Sequence, residues 1–439
     1  MKTRNKKEIY IIVGISIVFY FVVSFLLPTF HYYVIEGHQG LDTSGYIEAA
    51  KEMYQQGFKA NIERGEGYPL LLGIPCVFKA DYSTIIYWGV FLNFIAWIFT
   101  SILIFKTLNL LTGNKKIALL SACIFCILIG NIEYVNFALS ETIYTFILTL
   151  IAYFTAKYIV TENITSLGWA FFIYCYSIIT RPILMVLLPV LLFLILVHVI
   201  KKRNSIGFKK MRTFLMIILS GITIILGQML LMKKDYGTFT LSIDGQKTVY
   251  VYIGSYVHSM ETGDDLHLEK NRRGKEYWNY FNKGEWDSIK YMTSNDMWHN
   301  VKYNKIKLFK ALCIDIYFNS AQGGDFAISQ DNDKALQVFR NMCTTVSGYM
   351  NLLISFIAGA LIVLVFLLRR KLKNKLLLYC ILLWIIPVAL ILISGISFWQ
   401  NNRFHIPIPP LVLINIGLLI SVLTGKATQS ADINSLSQS

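Results

Sequence analysis

Charged residues are scarce in this chain of 439 residues: they make up 15% of it, against about 25% in soluble domains. Hydrophobic residues make up 55%. The alternation of apolar and polar residues that marks membrane β-strands is missing. Apolar runs of roughly 18 residues or more recur instead, each long enough to cross a hydrocarbon core as a helix. The composition therefore excludes an ordinary soluble domain and predicts an all-α polytopic membrane protein.

Several catalytic and binding motifs are also absent. Without a Walker loop, ATP-driven transport is unsupported. No HExxH motif and no pair of CxxC motifs indicate a zinc site, and no Gly-x-Ser-x-Gly elbow marks a serine nucleophile. The seven cysteines are weak evidence. Cys123 and Cys126 fit membrane packing, and a disulfide between Cys313 and Cys343 depends on geometry that a sequence does not show.

The net charge of +15 comes largely from basic residues that cluster at the ends of apolar runs. The clusters are Lys2–Lys7, Lys201–Arg212 and Arg369–Lys375. Short basic loops of this kind mark the cytoplasmic side of a membrane and attract anionic lipids. We therefore take the charge as a topology signal, with membrane lipids as partners, and expect no nucleic-acid partner.

The apolar runs predict ten transmembrane helices with both termini in the cytoplasm, because every strongly basic short loop then falls on one side. The first run is kept as a helix, since no small-residue cleavage site follows it. The predicted spans are Ile9–Leu27, Ser83–Leu110, Ile117–Ile132, Leu139–Tyr158, Leu167–Thr180, Ile183–Ile200, Phe214–Met232, Asn351–Leu368, Leu376–Ile396 and Ile406–Leu423.

This topology divides the chain into four segments. They are an N-terminal transmembrane module (1–232) with a first outer loop (30–82), a small mixed region outside the membrane (233–346), C-terminal transmembrane helices (347–426) and a flexible cytoplasmic tail (427–439). In the mixed region, a hairpin is predicted over Tyr236–Tyr252, because Asp244-Gly245 is a turn signal. Helices are expected to follow it.

The first outer loop predicts an amphipathic helix lying along the membrane surface. Thr43 and Ser44 are candidate N-caps, and Gly57 ends the helix. The following apolar segment, Tyr68–Phe78, is too short to cross a membrane. The apolar face of the helix consists of Tyr46, Ala50, Met53 and Tyr54.

Two acids stand where they could take part in chemistry. Asp42 follows the first span, and it could be an ordinary acid at a helix N-terminus, a general base or a metal ligand. Glu141 lies at the outer start of an apolar span, where a carboxylate is costly unless it is paired or faces a cavity. Capping by Ser140 is the alternative explanation for this position.

Three arginines lie at predicted outer boundaries of the membrane. Arg64 stands next to glycines and a Tyr-Pro turn, where it could hold a phosphate through its fork of donors or belong to a solvated charged loop. Arg181 and Arg403 each sit at an outer turn, against the topology rule. Together the three predict a cationic site for a phosphate or diphosphate at the membrane surface. His405 fits an interfacial polar residue.

The candidate residues fall within five motifs that follow one another along most of the chain. They are Asp42-Thr-Ser-Gly-Tyr-Ile-Glu-Ala-Ala, Arg64-Gly-Glu-Gly-Tyr-Pro-Leu-Leu-Leu, Ser140-Glu141, Thr180-Arg181-Pro182 and Arg403-Phe-His-Ile-Pro-Ile-Pro-Pro. This ordered set resembles the GT-C fold membrane glycosyltransferases, in particular the bacterial protein O-mannosyltransferases and aminoarabinose lipid A transferases. Each motif is weak alone, and the order carries the resemblance.

The resemblance implies a GT-C-like bundle in a bacterial plasma membrane. It implies an inverting enzyme that moves a hexose or pentose from a polyprenyl-phosphate donor to a lipid, glycan or protein acceptor on the outer face. Asp42 and Glu141 would be the catalytic acids. No cofactor is fixed, although a divalent metal at Asp42 and Glu63 stays open. The residues assigned to the donor and its phosphate are Arg64, Arg181, Arg403, Tyr46 and Tyr68.

Glu66 departs from the family pattern. Members often carry Arg-x-Pro-Gly-Tyr-Pro, and Glu66 stands at the position of the first proline. An acid close to the donor phosphate would have to be neutral or point away from it.

Three other functions stay open on the sequence. A flippase or transporter for a lipid-linked sugar would need polar residues along a path through the spans, whereas the polar residues here concentrate at one face. A glycan polymerase or ligase with a diphosphate carrier would share the cationic outer site. A binding or assembly protein with a degenerate site is the third.

Overall fold

The fold of this chain, given by a computed structural model, is helical throughout its described residues, which are 5–26, 30–35, 41–202, 207–322, 334–372, 374–396 and 401–425. No strand occurs in these ranges. The α-helices are α1 (Lys6–Leu26), α2 (Leu41–Gln55), α3 (Gly67–Leu72), α4 (Tyr82–Thr112), α5 (Lys115–Cys126), α6 (Ile129–Glu133), α7 (Ser140–Thr161), α8 (Ile164–Thr180), α9 (Leu188–Lys202), α10 (Phe208–Tyr236), α11 (Asp244–Lys247), α12 (Gly254–Thr262), α13 (Leu266–Asn282), α14 (Trp286–Tyr303), α15 (Lys305–Ala321), α16 (Lys334–Leu367), α17 (Asn374–Ser394) and α18 (Ile408–Leu423).

Long apolar helices make the chain a multi-pass helical membrane protein. Among the described residues, seven segments are long and apolar enough to cross a membrane: Lys6–Phe25, Tyr82–Thr112, Ser140–Thr161, Pro182–Lys202, Phe208–Tyr236, Gln337–Leu367 and Asn374–Ser394. The pair formed by α5 and Ile129–Asn136, bent by 60°, adds an eighth if it is one span. Helices α8 and α18 are apolar but shorter. Ten spans would require all of these, so that number and the GT-C bundle stay predictions.

The bundle is centred on α7, which packs between α4 and α8. Polar side chains in such a bundle need partners within the protein, because lipid offers none. The amide of Asn93 on α4 donates to the carbonyl oxygen of Phe137 at 2.6 Å, just before α7 begins. The amide of Asn131 on α6 donates to the carbonyl oxygen of Ile406 at 2.9 Å, just before α18. These two bonds fix the starts of α7 and α18.

The predicted hairpin over Tyr236–Tyr252 is wrong. Helix α10 continues to Tyr236, Asp244 begins α11, and Thr248–Ile253 is a π-helix. β-branched and aromatic residues favour strands mainly because they fit a half-buried pleated surface. Here they are buried among helices instead, so tertiary packing decides, and the region predicted as mixed is helical in its described part. The buried side chains of this segment are Tyr250, Val251 and Ile253.

Two smaller predictions also differ from the structure. Thr43 and Ser44 lie inside α2 and do not cap it, because the helix begins at Leu41 and Asp42 takes the favourable place in its first turn. The span predicted from Asn351 lies in α16, which begins at Lys334 and runs unbroken past the predicted boundary at 346/347.

The sequence leaves open whether Cys313 and Cys343 pair. In the structure both are free: Cys313 is exposed on α15, and Cys343 is buried on α16. The predicted cytoplasmic tail, 427–439, lies outside the described residues.

A polar helical region, residues 237–321, packs against the loop that carries Arg64. We call residues 58–66 the Arg64 loop. The N–H of Ile243 in this region donates to the carbonyl oxygen of Ile62 in the loop at 3.0 Å. The loop is also held by the end of α10, where the carboxylate of Asp235 accepts from the N–H of Ala60 at 2.8 Å. Ala60 and Ile62 join a buried apolar cluster with residues of the polar helical region. The loop and this region therefore lie on the same side of the bundle.

A buried arginine holds the polar helical region together. The side chain of Arg273 on α13 is 6% exposed, with Nε 2.8 Å from Glu269 and Nη1 2.9 Å from Asp296 on α14. Its neighbour Arg272 also pairs with Glu269, but it is 57% exposed. Breaking a buried pair leaves a desolvated charge, whereas an exposed pair contributes little.

We therefore expect the two neighbouring arginines to differ in their effect on stability. Arg273→Ala should lower the free energy of unfolding by roughly 3 kcal/mol, because Asp296 loses its partner inside the fold. Arg272→Ala should lower it by less than about 1 kcal/mol. Thermal unfolding of the detergent-solubilised protein, with limited proteolysis between α13 and α14, measures both effects. Equal melting temperatures for the two variants would contradict this account.

Candidate active site

Five charged side chains from distant parts of the chain lie in one continuous row of ion pairs. Arg64 Nη2 is 2.5 Å from Oδ1 of Asp42, and Arg403 contacts the other carboxylate oxygen of Asp42. Arg403 also places Nε 2.6 Å from Oε1 of Glu141. Arg181 Nη1 is 3.5 Å from that same oxygen. The sequence singles out all five, and we call them the five-residue network.

Helix ends position the members of the five-residue network. Asp42 lies in the first turn of α2 and Glu141 in the first turn of α7. Carboxylates are favoured there by the partial positive charge of a helix N-terminus. Arg181 follows the last residue of α8, and Arg403 belongs to the 3-10 turn Asn401–Phe404 that precedes α18. Four helix ends thus converge on one site.

Two glycines let the Arg64 loop lie directly on the end of α8. A Cβ on Gly65 would lie 2.3 Å from the carbonyl oxygen of Ile179, and a Cβ on Gly67 would lie 2.3 Å from Oγ1 of Thr180. Both distances are far inside van der Waals contact. The glycines therefore serve backbone packing within the protein, and this packing sets Arg64 beside the end of α8.

Tyr46 and Tyr68 form the floor beneath Arg64. The Arg64 guanidinium lies 5.0 Å from the centroid of the Tyr46 ring, within the range of a cation–π contact. The Tyr68 ring meets Tyr46 edge-on at 5.1 Å. The Tyr46 hydroxyl is hydrogen-bonded to the Ser140 hydroxyl at 2.8 Å, and both rings are buried. They support the arginine from below, and a direct contact with a donor stays a prediction.

Three residues of this site escape the sequence reasoning. Gly45 lies under Arg64, since a Cβ there would be 3.2 Å from Arg64 Nε. A lone glycine inside a helical pattern can signal such a close approach. The rings of Tyr144 and Phe404 lie 5.8 and 5.2 Å from the guanidinium of Arg181. Aromatic residues at membrane boundaries are common, so nothing in the sequence marks these two.

The two acids of the network differ in access. The Asp42 side chain is 36% exposed, whereas that of Glu141 is fully buried. Burial opposes ionisation of Asp42, but the charges of Arg403 and Arg64 outweigh it and hold the pKa of Asp42 well below its usual range. Asp42 is therefore a reachable carboxylate, and it is a poor proton acceptor as long as both arginines hold it.

Glu66 is kept away from the arginines. Its carboxylate accepts a hydrogen bond from the N–H of Asn61 at 2.9 Å, and its side chain is buried. Burial raises the pKa of Glu66 to about 7, and the nearby carboxylates of Glu52 and Asp235 add to the effect. The acid at the family's proline position thus binds within its own loop and is partly neutral near pH 7.

The carboxylates of Asp42 and Glu63 are not arranged to bind a metal ion. Asp42 already has a guanidinium at each carboxylate oxygen. Burial raises the pKa of Glu63, whose nearest cation is Lys247 at 4.0 Å. Throughout the described ranges, no group of three or more His, Cys, Asp or Glu side chains is placed to hold a metal ion. Asp42 and Glu63 therefore do not form a metal site in this arrangement.

His405 is an anchor inside the bundle and not an interfacial residue. It is buried, with Nδ1 2.9 Å from the Ser355 hydroxyl on α16 and Nε2 3.2 Å from the Ser394 hydroxyl on α17. The ring therefore ties the turn that carries Arg403 to two neighbouring helices.

Glu66 should make stability depend on pH. Its folded-state pKa lies above the value of about 4.5 expected in the unfolded chain, so the folded state keeps a proton that the unfolded state releases. Stability should fall as pH rises from about 4.5 to 7, by an amount on the order of 3 kcal/mol. Glu66→Gln should remove that part of the slope, and Glu48→Gln, an exposed control, should keep it. Melting temperatures across this range test both, and equal slopes in all three proteins would refute the assignment.

Comparison with known proteins adds no further assignment to this site. No protein-family model matches the chain. No curated protein matches it either.

Proposed function

We propose that this protein is an integral-membrane glycosyltransferase that moves a sugar from a polyprenyl-phosphate donor to a cell-envelope acceptor on the outer face of a bacterial plasma membrane. The observation that carries the proposal is the five-residue network. It joins one reachable carboxylate to three arginines, two of which, Arg181 and Arg403, lie at the ends of apolar helices. A sugar transfer from a lipid phosphate needs those two functions side by side, a proton acceptor and a cationic site for the leaving group.

The charge of the network fits a monophosphate carrier. Three arginines and two carboxylates leave one net positive charge. A sugar linked to a lipid through one phosphate is a phosphodiester with one negative charge, so the bound donor would bring the site to neutrality. A diphosphate carrier would leave excess negative charge next to Asp42 and Glu141. This favours a monophosphate donor over the polymerase or ligase alternative.

Access separates the roles of the two acids. Asp42 is the exposed one, so an acceptor hydroxyl could reach it, and it is the proposed base. Glu141 is fully buried and contacts Arg403 and Arg181. Its proposed role is to hold these two guanidinium groups in place for the phosphate.

The proposed reaction is a direct displacement with inversion. The acceptor oxygen attacks the anomeric carbon of the sugar while its proton passes to the Asp42 carboxylate. The bond between the anomeric carbon and the phosphate oxygen breaks, and the electron pair leaves with the lipid phosphate. The negative charge that develops there is stabilised by the arginines of the network.

The double ion pair at Asp42 sets an order of events. While Arg64 and Arg403 both bind Asp42, the carboxylate has little basicity. A donor phosphate competes for the same two arginines, because guanidinium groups bind phosphate as they bind carboxylate. Asp42 therefore becomes an effective base only after the donor has bound.

The role of Asp42 predicts a large loss of transfer in Asp42→Asn. The amide cannot accept the acceptor proton, so turnover should fall by about 100-fold or more. Asp81→Asn is the matched control, because Asp81 only caps α4 through the N–H of Thr84, and asparagine caps equally well. The assay is sugar transfer from a polyprenyl-phosphate sugar by purified, folded protein. Turnover like that of the wild type in Asp42→Asn, or lipid scrambling with no glycoside product, would overturn the proposal.

The order of events predicts a shift in pH dependence. The value of kcat/KM for the donor reports the free enzyme, where the paired Asp42 stays ionised to low pH. The value of kcat/KM for the acceptor at saturating donor reports the donor complex, where Asp42 has been released. On the acidic side, kcat/KM for the acceptor should therefore begin to fall at a higher pH than kcat/KM for the donor, by about one pH unit or more. If the two values fall at the same pH, the donor does not take the arginines from Asp42.

A further inference from the structure

A second candidate site lies in the polar helical region, in the cleft between α13 and α14. The cleft has a volume of about 870 Å³, within the range of small-molecule sites. Most of its wall comes from one face of α14, and Tyr280 of α13 and Tyr250 of the π-helix complete it. The five-residue network does not include any of these residues.

Aromatic side chains stand exposed along this cleft. Tyr291 is 75% exposed and Trp298 is 72% exposed. They lie seven residues apart, two turns of α14, and so share a face of the helix. Large aromatic rings left in water on a polar region, beside a cavity, indicate a binding surface.

The charge of the cleft limits what it can bind. Glu276, Asp287 and Asp296 line it, together with Lys302 and a histidine. Two of these carboxylates are paired, since Arg272 lies 3.7 Å from Glu276 and Arg273 lies 2.9 Å from Asp296. The lining therefore carries no excess of basic charge, whereas the whole chain has a net charge of +15. A membrane-surface contact would pair aromatic rings with basic residues, because anionic lipids attract Lys and Arg. The lining of the cleft has no such excess of basic residues, and this argues against a lipid surface and against an anionic ligand.

The cleft connects with the five-residue network through the π-helix Thr248–Ile253. Tyr250 lines the cleft. Two residues further on, Tyr252 lies within electrostatic range of Asp42 and Glu63: burial, followed by the charges of Asp244 and these two acids, raises its pKa. π-Helical turns are rare and are frequent at functional sites. In this one, Tyr250 lines the cleft and Tyr252 lies near the acids Asp42 and Glu63.

We infer that this cleft binds a neutral or amino-bearing saccharide through the rings of Tyr291 and Trp298. The C–H groups of a pyranose carry a small positive charge and stack on the negative faces of aromatic rings. Asp287, whose side chain is fully exposed, and Asn295 offer acceptors for sugar hydroxyl and amino groups. With the proposed function, on which this assignment rests, the saccharide is the acceptor or the glycan that carries it.

Binding to the full-length, detergent-solubilised protein tests the inference without any transfer reaction. The probes are maltotetraose and tetra-N-acetylchitotetraose as neutral ligands, chitotetraose as the amino ligand and tetragalacturonate as the anionic one. Saturation-transfer NMR detects binding, and calorimetry measures Kd. The variant is Tyr291→Ala with Trp298→Ala, both at exposed positions. The control is Phe309→Ala on α15, which is 69% exposed and lies outside the cleft.

We expect at least one neutral or amino probe to bind, and tetragalacturonate to bind tenfold more weakly or not at all. For the probe that binds, the double variant should raise Kd at least tenfold, and Phe309→Ala should leave Kd unchanged. The inference fails if none of the neutral or amino probes binds, or if the double variant binds like the wild type. It also fails if brominated lipid in nanodiscs quenches a larger fraction of the fluorescence in the wild type than in Trp298→Phe, since Trp298 would then lie in the membrane surface.

The two proposals fail separately. If no saccharide binds but sugar transfer still depends on Asp42, the saccharide site in the cleft is wrong and the proposed function stands. Saccharide binding that depends on Trp298, in a protein whose turnover survives Asp42→Asn, would keep the cleft as a saccharide site and remove its role as acceptor site.

Discussion

The pairing of charges at the edge of a lipid-facing bundle is the constraint on which the rest of this structure depends. A buried carboxylate such as that of Glu141 is tolerated at the start of a membrane helix only with a partner in contact. Arg403 supplies that partner and at the same time reaches Asp42. Arg403 thereby joins the starts of α2, α7 and α18. Fold stability and the candidate chemistry thus draw on the same few ion pairs.

The sequence predicts much of this site because each charged residue is unusual where it stands. In the predicted topology, Arg181 and Arg403 break the rule that basic residues gather on the cytoplasmic side, and Glu141 lies where a carboxylate is costly. Such exceptions survive in a membrane protein when they satisfy one another. The sequence cannot show that they do so directly, with Asp42 between two arginines, because it carries no distances.

The failed predictions share a physical cause. The hairpin over Tyr236–Tyr252 follows local strand preference, yet contacts with α13 and α14 decide the outcome in favour of helix. His405 looks interfacial by type, but it is buried between two serines on neighbouring helices. Gly45, Tyr144 and Phe404 are missed for the same reason, because each contacts an arginine from another segment of the chain. Patterns within one segment predict elements well, whereas partners in other segments decide side-chain roles.

The separation of Asp42 and Arg403 by 361 positions has a consequence for how the protein is made. A ribosome finishes the part with Asp42 and Glu141 long before it reaches Arg403. During that interval Arg181 is present to pair with Glu141, but Arg403 is missing, and the row of charges has a gap between Glu141 and Asp42. Only insertion of the final apolar helix closes that gap. A chain that ends before Arg403 therefore lacks the two ion pairs that join Asp42 to Glu141.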